Sequence, residues 1–526
     1  MEELKVLITC SGLGSRLGEI TNFTNKSLVR VGKKPTITHV IDSYPENTSF
    51  VVTIGHYGDH VKQYLNIAHK DRKIDFVEID KYEGPGSSLA YSMFKASELL
   101  KTPFIFHACD TIVKHTIFNK EKNCVWVSEA RDNKSNYRTT TVCGDSLGKI
   151  EEKGMTSSGY AYIGKSYIKD YEIFWTKIKK LISDSLPEDN ILSDCHAINL
   201  MLEESFCFDV LKTKDWIDIG NIDSLNFARS LFKEDENVLD KFDESIFFIN
   251  NKVIKFFYDT KIVKNRVERT KWMNDCTPKV IDQSENFFSY NLVNGEVLSR
   301  KEDFNNNTIR NLLNWFNQNL WSSITTEDYS THCENFYIKK SLERVDKYLK
   351  HRSLRDIETT INGIKVPPAK DLILMSKNLL MSDIRTSFFH GDFILENIIY
   401  TSEKSFFLID WRQDFAGCVK HGDCYYDLSK LNHNLIVNHD IVNDKNYKIK
   451  FKSSTEVTVD ILCSKKFIDA IEELKIFCKD NKFDYKKIEV LTSIIWINMS
   501  PLHDKNFGDF LFNFGKYNLM KALKYE

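Results

Sequence analysis

The sequence predicts two folded parts: an α/β domain over residues 1–235, then an α+β domain over 240–526 that opens on strands and ends in helices. Three observations point there. From Leu4 to Val127 short apolar runs alternate with polar, helix-compatible stretches, the pattern of strands joined by crossover helices. After Asn237-Val238-Leu239-Asp240 the pattern changes. The runs Ser245–Ile249 and Lys252–Tyr258 flank Asn250-Asn251 and read as a β-hairpin, because asparagine tolerates the positive φ such turns need. Further on, Lys465–Asp480 has helical periodicity.

Length and composition are those of a globular protein with more than one core. The chain has 526 residues, 42% apolar and 28% charged. The formal charge of −2 leaves no nucleic-acid footprint, so anion binding must come from local sites. Twelve cysteines are scattered without a Cys-x-x-Cys pair. That disfavours a zinc site or a disulfide framework and fits a reducing, cytoplasmic setting. The apolar start Val6-Leu7-Ile8 lacks the flanks of a signal peptide. No run reaches the roughly 18 apolar residues of a membrane span.

In the first part, Leu4–Thr9, Ser49–Ile54, Asp75–Ile79, Pro103–His107 and Cys124–Val127 read as strands. In such sheets ligands collect at the carboxyl ends of strands. The first strand ends at Gly12-Leu13-Gly14-Ser15-Arg16-Leu17, followed by Asn25-Lys26-Ser27-Leu28 and Gly32-Lys33-Lys34-Pro35. Glycines there let backbone N–H groups approach phosphate. Arg16 can grip phosphate bidentately, and Lys26 adds a point charge. A bare Gly-x-Gly also fits a plain strand-to-helix turn; the spacing to Lys26 favours a phosphate site.

This run resembles the triphosphate-gripping loop of sugar-1-phosphate nucleotidyltransferases, and the resemblance implies a Rossmann-like, GT-A-like mixed sheet. It places Gly12, Gly14, Ser15 and Gly86 (in Gly84-Pro85-Gly86-Ser87-Ser88-Leu89) on the nucleotide. Asp110 and Asp218 would hold Mg²⁺, a hard ion suited to carboxylates. Lys153 would bind the substrate phosphate, with Glu152 and the Ser158-Gly159 turn on a sugar. The sequence departs from the family at Gly154, where a proline is usual, at Cys10-Ser11, and at Asn25 before the lysine. The implied reaction is attack by a monoester oxygen on the α-phosphorus of a nucleoside triphosphate, with Arg16 and Lys26 offsetting charge.

In the second part, His390-Gly391-Asp392 with Asn397, then Asp410-Trp411 after the apolar run Phe406–Ile409, resembles small-molecule kinases of the aminoglycoside phosphotransferase and choline kinase type. The resemblance implies a bilobal, protein-kinase-like fold with a helical C-terminal lobe. Asp392 would accept the substrate proton, and Asn397 and Asp410 would hold Mg²⁺. Lys255 would reach the nucleotide phosphates and Glu268 would pair with it. Asp423 and the run Tyr425–Leu431 fit structural positions, and His390 a brace. Trp496, Phe507, Phe510 and Phe514 read as core. No glycine-rich loop precedes the hairpin.

Taken together, the two resemblances imply a bifunctional enzyme. It would use ATP to phosphorylate a sugar or sugar-like hydroxyl, then couple the product to CTP, UTP or GTP as a precursor for surface glycan or capsule. Choline or another amino alcohol is the alternative acceptor. A third reading makes the kinase-like half a binding module. The expected partners are small molecules and nucleotides, with homo-oligomerisation left open.

Overall fold

The computed structural model describes residues 4–114, 118–130, 134–155, 159–186, 191–232, 241–273, 275–321, 328–403 and 405–524. Ser158 and the Asn237–Asp240 transition lie outside them. The chain divides into two compact units, one of residues 1–260 with 281–292, the other of 261–280 with 293–526.

The first unit is built on a nine-stranded mixed sheet. Its order is Ile74–Glu78, Ser49–Ile54, Lys5–Cys10, Phe104–Ala108, Tyr160–Ile168, Asn123–Ser128, Phe208–Lys212, Ser146–Ile150 and Thr139–Cys143. The five strands expected from sequence form with ends shifted by no more than one residue. The first four of the order are parallel. Tyr160–Ile168 then runs antiparallel to both of its neighbours, which makes the sheet mixed. Side chains alternate between two cores. Val6, Ile8, Phe50 and Val52 pack on one face and Leu7, Val51, Phe104 and Phe106 on the other. Both faces are covered, so Ser49–Ile54 is buried along its whole length.

A second sheet of the first unit contains the Asn-Asn hairpin, in the order Glu244–Ile249, Lys252–Phe257, Phe287–Asn291 and Val280–Gln283. Asn250 and Asn251 have φ of 47° and 61°, as a two-residue hairpin turn of matching twist requires. Phe247, Ile254, Phe256 and Phe287 join the core that holds Tyr64 of helix Gly58–Ala68, and Asn286 and Gln63 exchange hydrogen bonds of 2.9 and 3.3 Å. Compactness thus groups this sheet with the first unit, whereas the sequence boundaries 1–235 and 240–526 group it with the second.

The second unit is mainly helical. Asn306–Asn319, Lys340–Arg352, Cys424–Ile436, Lys465–Asp480, Tyr485–Met499 and Lys505–Lys524 are its longest helices. Trp496, Phe507 and Phe510 are buried in it. A three-stranded sheet, Glu296–Val297, Ile398–Tyr400 and Phe406–Leu408, carries the segment after Asp392. The reading of a helical lobe missed a four-stranded sheet formed by Ile364–Val366, Thr359–Ile361, Glu456–Ile461 and Tyr447–Phe451. Its first hairpin turns on Asn362-Gly363, both at positive φ, a signal present in the sequence. None of the described helices is long and apolar enough to cross a membrane, and the twelve cysteines are free.

One buried cation stands out in the first unit. Lys165 is fully buried, its Nζ 4.8 Å from the Trp126 ring centre and 5.1 Å from that of Tyr44, with no hydrogen-bond partner among the described residues. Burial pushes its ammonium down to about 7, against ~10.4 in an unfolded chain. Between those values the unfolded chain binds more protons, so stability should rise with pH. We expect Lys165→Met to stabilise the first unit by about 1–3 kcal/mol near neutrality. It should also flatten the rise in urea midpoint between ~pH 7 and ~pH 10. An unchanged pH slope would refute the assignment.

Candidate functional site

The first candidate site forms where the parallel strands end. A two-residue antiparallel pairing, Thr111–Ile112 with Ile217–Asp218, sets Asp218 opposite Thr111, and Ile219 N donates to Asp110 O at 3.1 Å. Asp110 and Asp218 thereby converge. A Cβ placed on Gly220 would lie 3.1 Å from Asp218 Oδ1 and 3.6 Å from Asp110 Oδ2. Lys26 Nζ reaches Asp110 Oδ2 at 2.5 Å. Asn25, at the position where the family has proline, fixes that lysine's loop. Its Nδ2 donates to Cys10 O at 2.7 Å and His56 O at 2.6 Å, and its Oδ1 accepts from Ser27 N at 2.9 Å. The turn after the first strand leads into a short 3₁₀ segment, Ser15–Thr21. Gly14 has φ 70°, and a Cβ there would lie 2.8 Å from Lys26 Cβ. Gly12, Ser15 and Arg16 are exposed, and a Cβ on Gly12 would meet nothing within 4 Å.

Arg16, Asp110, Lys153 and Asp218 line one cavity of about 1120 Å³, together with Tyr137, Arg138, Tyr162, Asp194 and Trp216. Burial alone would raise the Asp110 pKa, but Lys26 at bond distance holds it below the usual carboxylate value. Asp218 is raised, first by burial and then by the charge of Asp110. Lys153 is lowered by burial and by Arg16 and Arg138. Two carboxylates that oppose each other's ionisation and face a cavity are a donor set that fits an oxygen-ligated cation. Gly154 has φ 87° and donates its N–H to Ser135 O at 3.2 Å. Proline can do neither, which accounts for the departure from the family motif.

Glu152 is held by its neighbours: Arg138 donates to it at 3.0 and 3.3 Å, and His196 Nε2 lies 3.0 Å away. Gly159 follows in the half-buried turn before Tyr160–Ile168. Gly86, at φ 82°, lies in the loop before helix Leu89–Lys95, whose cap Ser88 accepts from Tyr91 N at 3.0 Å. Sequence reading missed Tyr137, Arg138, Tyr162, Asp194, His196 and Trp216. They come from separate segments that only the fold gathers, and apart from Trp216, two residues before Asp218, no local motif marks them.

The second candidate site surrounds His390-Gly391-Asp392. Lys430 Nζ lies 2.7 Å from Asp392 Oδ1. Asn397 Nδ2 donates to Asp392 O at 2.9 Å and to Oδ2 at 3.2 Å. Burial would raise the Asp392 pKa, but Lys430 keeps it below the ordinary value. The His390 ring accepts from Asp392 N at 3.2 Å and donates to Ile409 O at 3.0 Å. Burial lowers its pKa to about 4, so it braces the loop as a neutral ring. Asp427, inside the run read as structural, accepts from His390 N at 2.8 Å, Gly391 N at 2.6 Å and Trp321 Nε1 at 3.1 Å. Asp423 is fully buried and accepts from Tyr337 OH at 3.1 Å.

Asp410 takes φ 60°, and Arg266 NH1 donates to its Oδ1 at 2.6 Å. Arg269 is buried against the Phe389 ring and donates to the carbonyls of Phe389, His390 and Arg412. Neither arginine carries a motif that marks it in the sequence. Lys255 is buried in Lys252–Phe257, opposite Ile246 and Phe288. Glu268 is half-buried on helix Thr260–Arg269 and falls in the other unit. Among the described residues no group of three or more His, Cys, Asp or Glu is placed to hold a metal ion. Asp110 and Asp218 are a pair, as suits an ion that keeps water or phosphate oxygens among its ligands, and Ile409 N donates to Asn397 O at 2.9 Å, next to Asp410 in the chain.

No family model matches the chain. It is 23% identical over 250 residues to the bifunctional protein GlmU of Methanococcus vannielii, covering 46% of this chain and 58% of that protein. It is 33% identical over 64 residues to the "Probable glucose-1-phosphate cytidylyltransferase" of Bacillus subtilis, 12% of this chain and 25% of that one. It is 25% identical over 135 residues to the choline-phosphate cytidylyltransferase of Streptococcus pneumoniae, 25% and 56% of the two lengths. A solved CTP:phosphocholine cytidylyltransferase from that organism aligns with 44% of this chain and all of its own, at 19% identity and TM-score 0.37. The chain thus spans a quarter to about three fifths of the length of the curated relatives it matches. Nearly half of it, the N-terminal part, is similar to nucleotidyltransferases.

The close approach of Gly14 to Lys26 gives a test. Gly14→Ala should destabilise the first unit by about 1–3 kcal/mol, since alanine must take positive φ and displace the Lys26 stem. A urea midpoint equal to wild type would show that the turn relaxes freely.

Proposed function

We propose that the first unit transfers a nucleotidyl group from a nucleoside triphosphate to a phosphate monoester. The observation that carries this is the convergence of Asp110 and Asp218, with Arg16 and Lys153, on one cavity, where Lys26 meets Asp110. The nucleotidyltransferase names of the relatives support it. A monoester oxygen attacks the α-phosphorus; the new P–O bond forms as the bond to pyrophosphate breaks. Lys153 would hold the monoester, and Arg16 and Lys26 would offset charge on the triphosphate. Asp110 and Asp218 would hold Mg²⁺, which when bound neutralises phosphate charge.

The second unit is a small-molecule kinase in this reading. Asp392 is kept ionised by Lys430 and oriented by Asn397, as a group accepting the proton of an attacking hydroxyl must be. The acceptor oxygen bonds to the γ-phosphorus of ATP, and ADP leaves. Asn397 and Asp410 would hold Mg²⁺. A kinase makes a phosphate monoester and a nucleotidyltransferase consumes one, so consecutive steps account for the pairing. The acceptor is a sugar or a sugar-like molecule, and the product an activated precursor for surface glycan. The choline-phosphate enzyme among the relatives favours an amino alcohol as the second reading.

Asp392→Asn should lower ADP release by about 10²–10⁴-fold while leaving pyrophosphate release from a supplied monoester unchanged. Asp110→Asn should do the reverse by about 10²–10³-fold. Both activities lost in either folded variant would contradict separable sites.

A further inference from the structure

The charges around Asp392 carry information about the acceptor. Helix Lys340–Arg352 presents Lys340 and Arg344 one turn apart. Lys340 Nζ lies 4.0 Å from the centre of the Phe336 ring, and Arg412 Cζ lies 5.0 Å from the same centre. Phe336 is itself held by Phe415 at 4.4 Å and Tyr426 at 4.8 Å between ring centres. Arg412 is tied to the Asp392 loop: its N–H donates to His390 O at 3.0 Å, and its Cβ lies 2.6 Å from where a Cβ on Gly391 would be. Lys430 completes the group at 2.7 Å from Asp392 Oδ1.

Lys340, Arg344 and Arg412, from two further segments, therefore gather around Lys430, the lysine that meets the carboxylate that would receive the acceptor's proton. Lys340 feels Arg412, Arg344 and Lys430 and one opposing carboxylate, Asp414. Burial and these like charges push it down to about 6, so near neutrality it takes up a proton when an anion offsets them. Such a cluster recruits an anion. Guanidinium groups match carboxylate and phosphate by paired hydrogen bonds. A quaternary ammonium needs open aromatic faces, and the Phe336 ring already holds Lys340 and Arg412.

We infer that the subsite beside Asp392 takes an acceptor bearing a carboxylate or phosphate group besides the hydroxyl to be phosphorylated, held by Lys340, Arg344 and Arg412. This rests on the kinase reading of the second unit. It turns the acceptor away from choline and towards an acidic or phosphorylated polyol.

The test uses the full chain, ATP and Mg²⁺ with matched acceptors: glucuronate against glucose, glycerol 3-phosphate against glycerol, and choline as a cationic control. ADP release should favour the anionic member of at least one pair by about 10–100-fold in kcat/KM, and the pair that responds tells carboxylate from phosphate. Arg344→Gln and Lys340→Gln should each raise KM for that anion by about 10-fold, leaving KM for ATP unchanged. Preference for choline or a neutral member, or variants that shift only KM for ATP, overturns the inference. Calorimetric titration of glucuronate and glycerol 3-phosphate into the protein with Mg²⁺ and a non-hydrolysable ATP analogue separates the two failures. Anion binding that both variants lose, without ADP release by wild type, keeps the subsite and removes the kinase reading. Binding that survives both variants, or neither binding nor turnover, overturns the subsite.

Discussion

A carboxylate taken out of water stays ionised when a cation or hydrogen-bond donors are taken with it. Both candidate sites are built on that constraint. In the first unit Lys26 sits 2.5 Å from Asp110, and in the second Lys430 sits 2.7 Å from Asp392. In each case burial works against the charge and the lysine outweighs it. Much of the surrounding structure serves to bring these lysines in. Asn25 clamps the Lys26 loop to Cys10 and His56 by two hydrogen bonds, and Gly14 clears space for the lysine stem. Asp427 holds the backbone of His390 and Gly391, so that Asp392 meets Lys430 from the helix that carries both Asp427 and Lys430.

The remaining groups follow from charge balance. Asp218 lies beside Asp110 without a lysine at bond distance, and its pKa is raised where that of Asp110 is lowered. A divalent cation held by the two carboxylates would offset the negative charge that Lys26 alone does not. Beside Lys430 the basic groups Lys340, Arg344 and Arg412 share a neighbourhood with Asp414, and in the inference drawn above an anionic acceptor would complete that set.

Local features were legible in the sequence where local physics decides them. The strands of the first sheet are continuous apolar runs, and both Asn-rich turns mark their hairpins because few residues accept positive φ. The helix Lys465–Asp480 follows from its periodicity. The pairing of Asp110 with Asp218 was legible only through resemblance, because its cause is a two-residue strand contact between segments about a hundred residues apart. The grouping of the hairpin sheet with the first unit was not legible, since Phe247 and Phe287 look alike whichever core receives them. Neither was the cation cluster. Its members stand at 340, 344, 412 and 430, and a lone lysine or arginine in sequence reads as a solvated surface charge.

In the proposed reading, phosphate placed on an acceptor by one unit is the phosphate joined to a nucleotide by the other. It can be followed with one label. The full chain is incubated with ATP labelled in its γ-phosphorus, an unlabelled second nucleoside triphosphate, Mg²⁺ and the acceptor panel, and the products are separated. Consecutive action on one molecule predicts label in the nucleotide-linked product, on the phosphate nearer the acceptor, and none in the released pyrophosphate. Label that stops at a monoester while pyrophosphate forms from other substrates, or that never leaves ATP, would contradict the account.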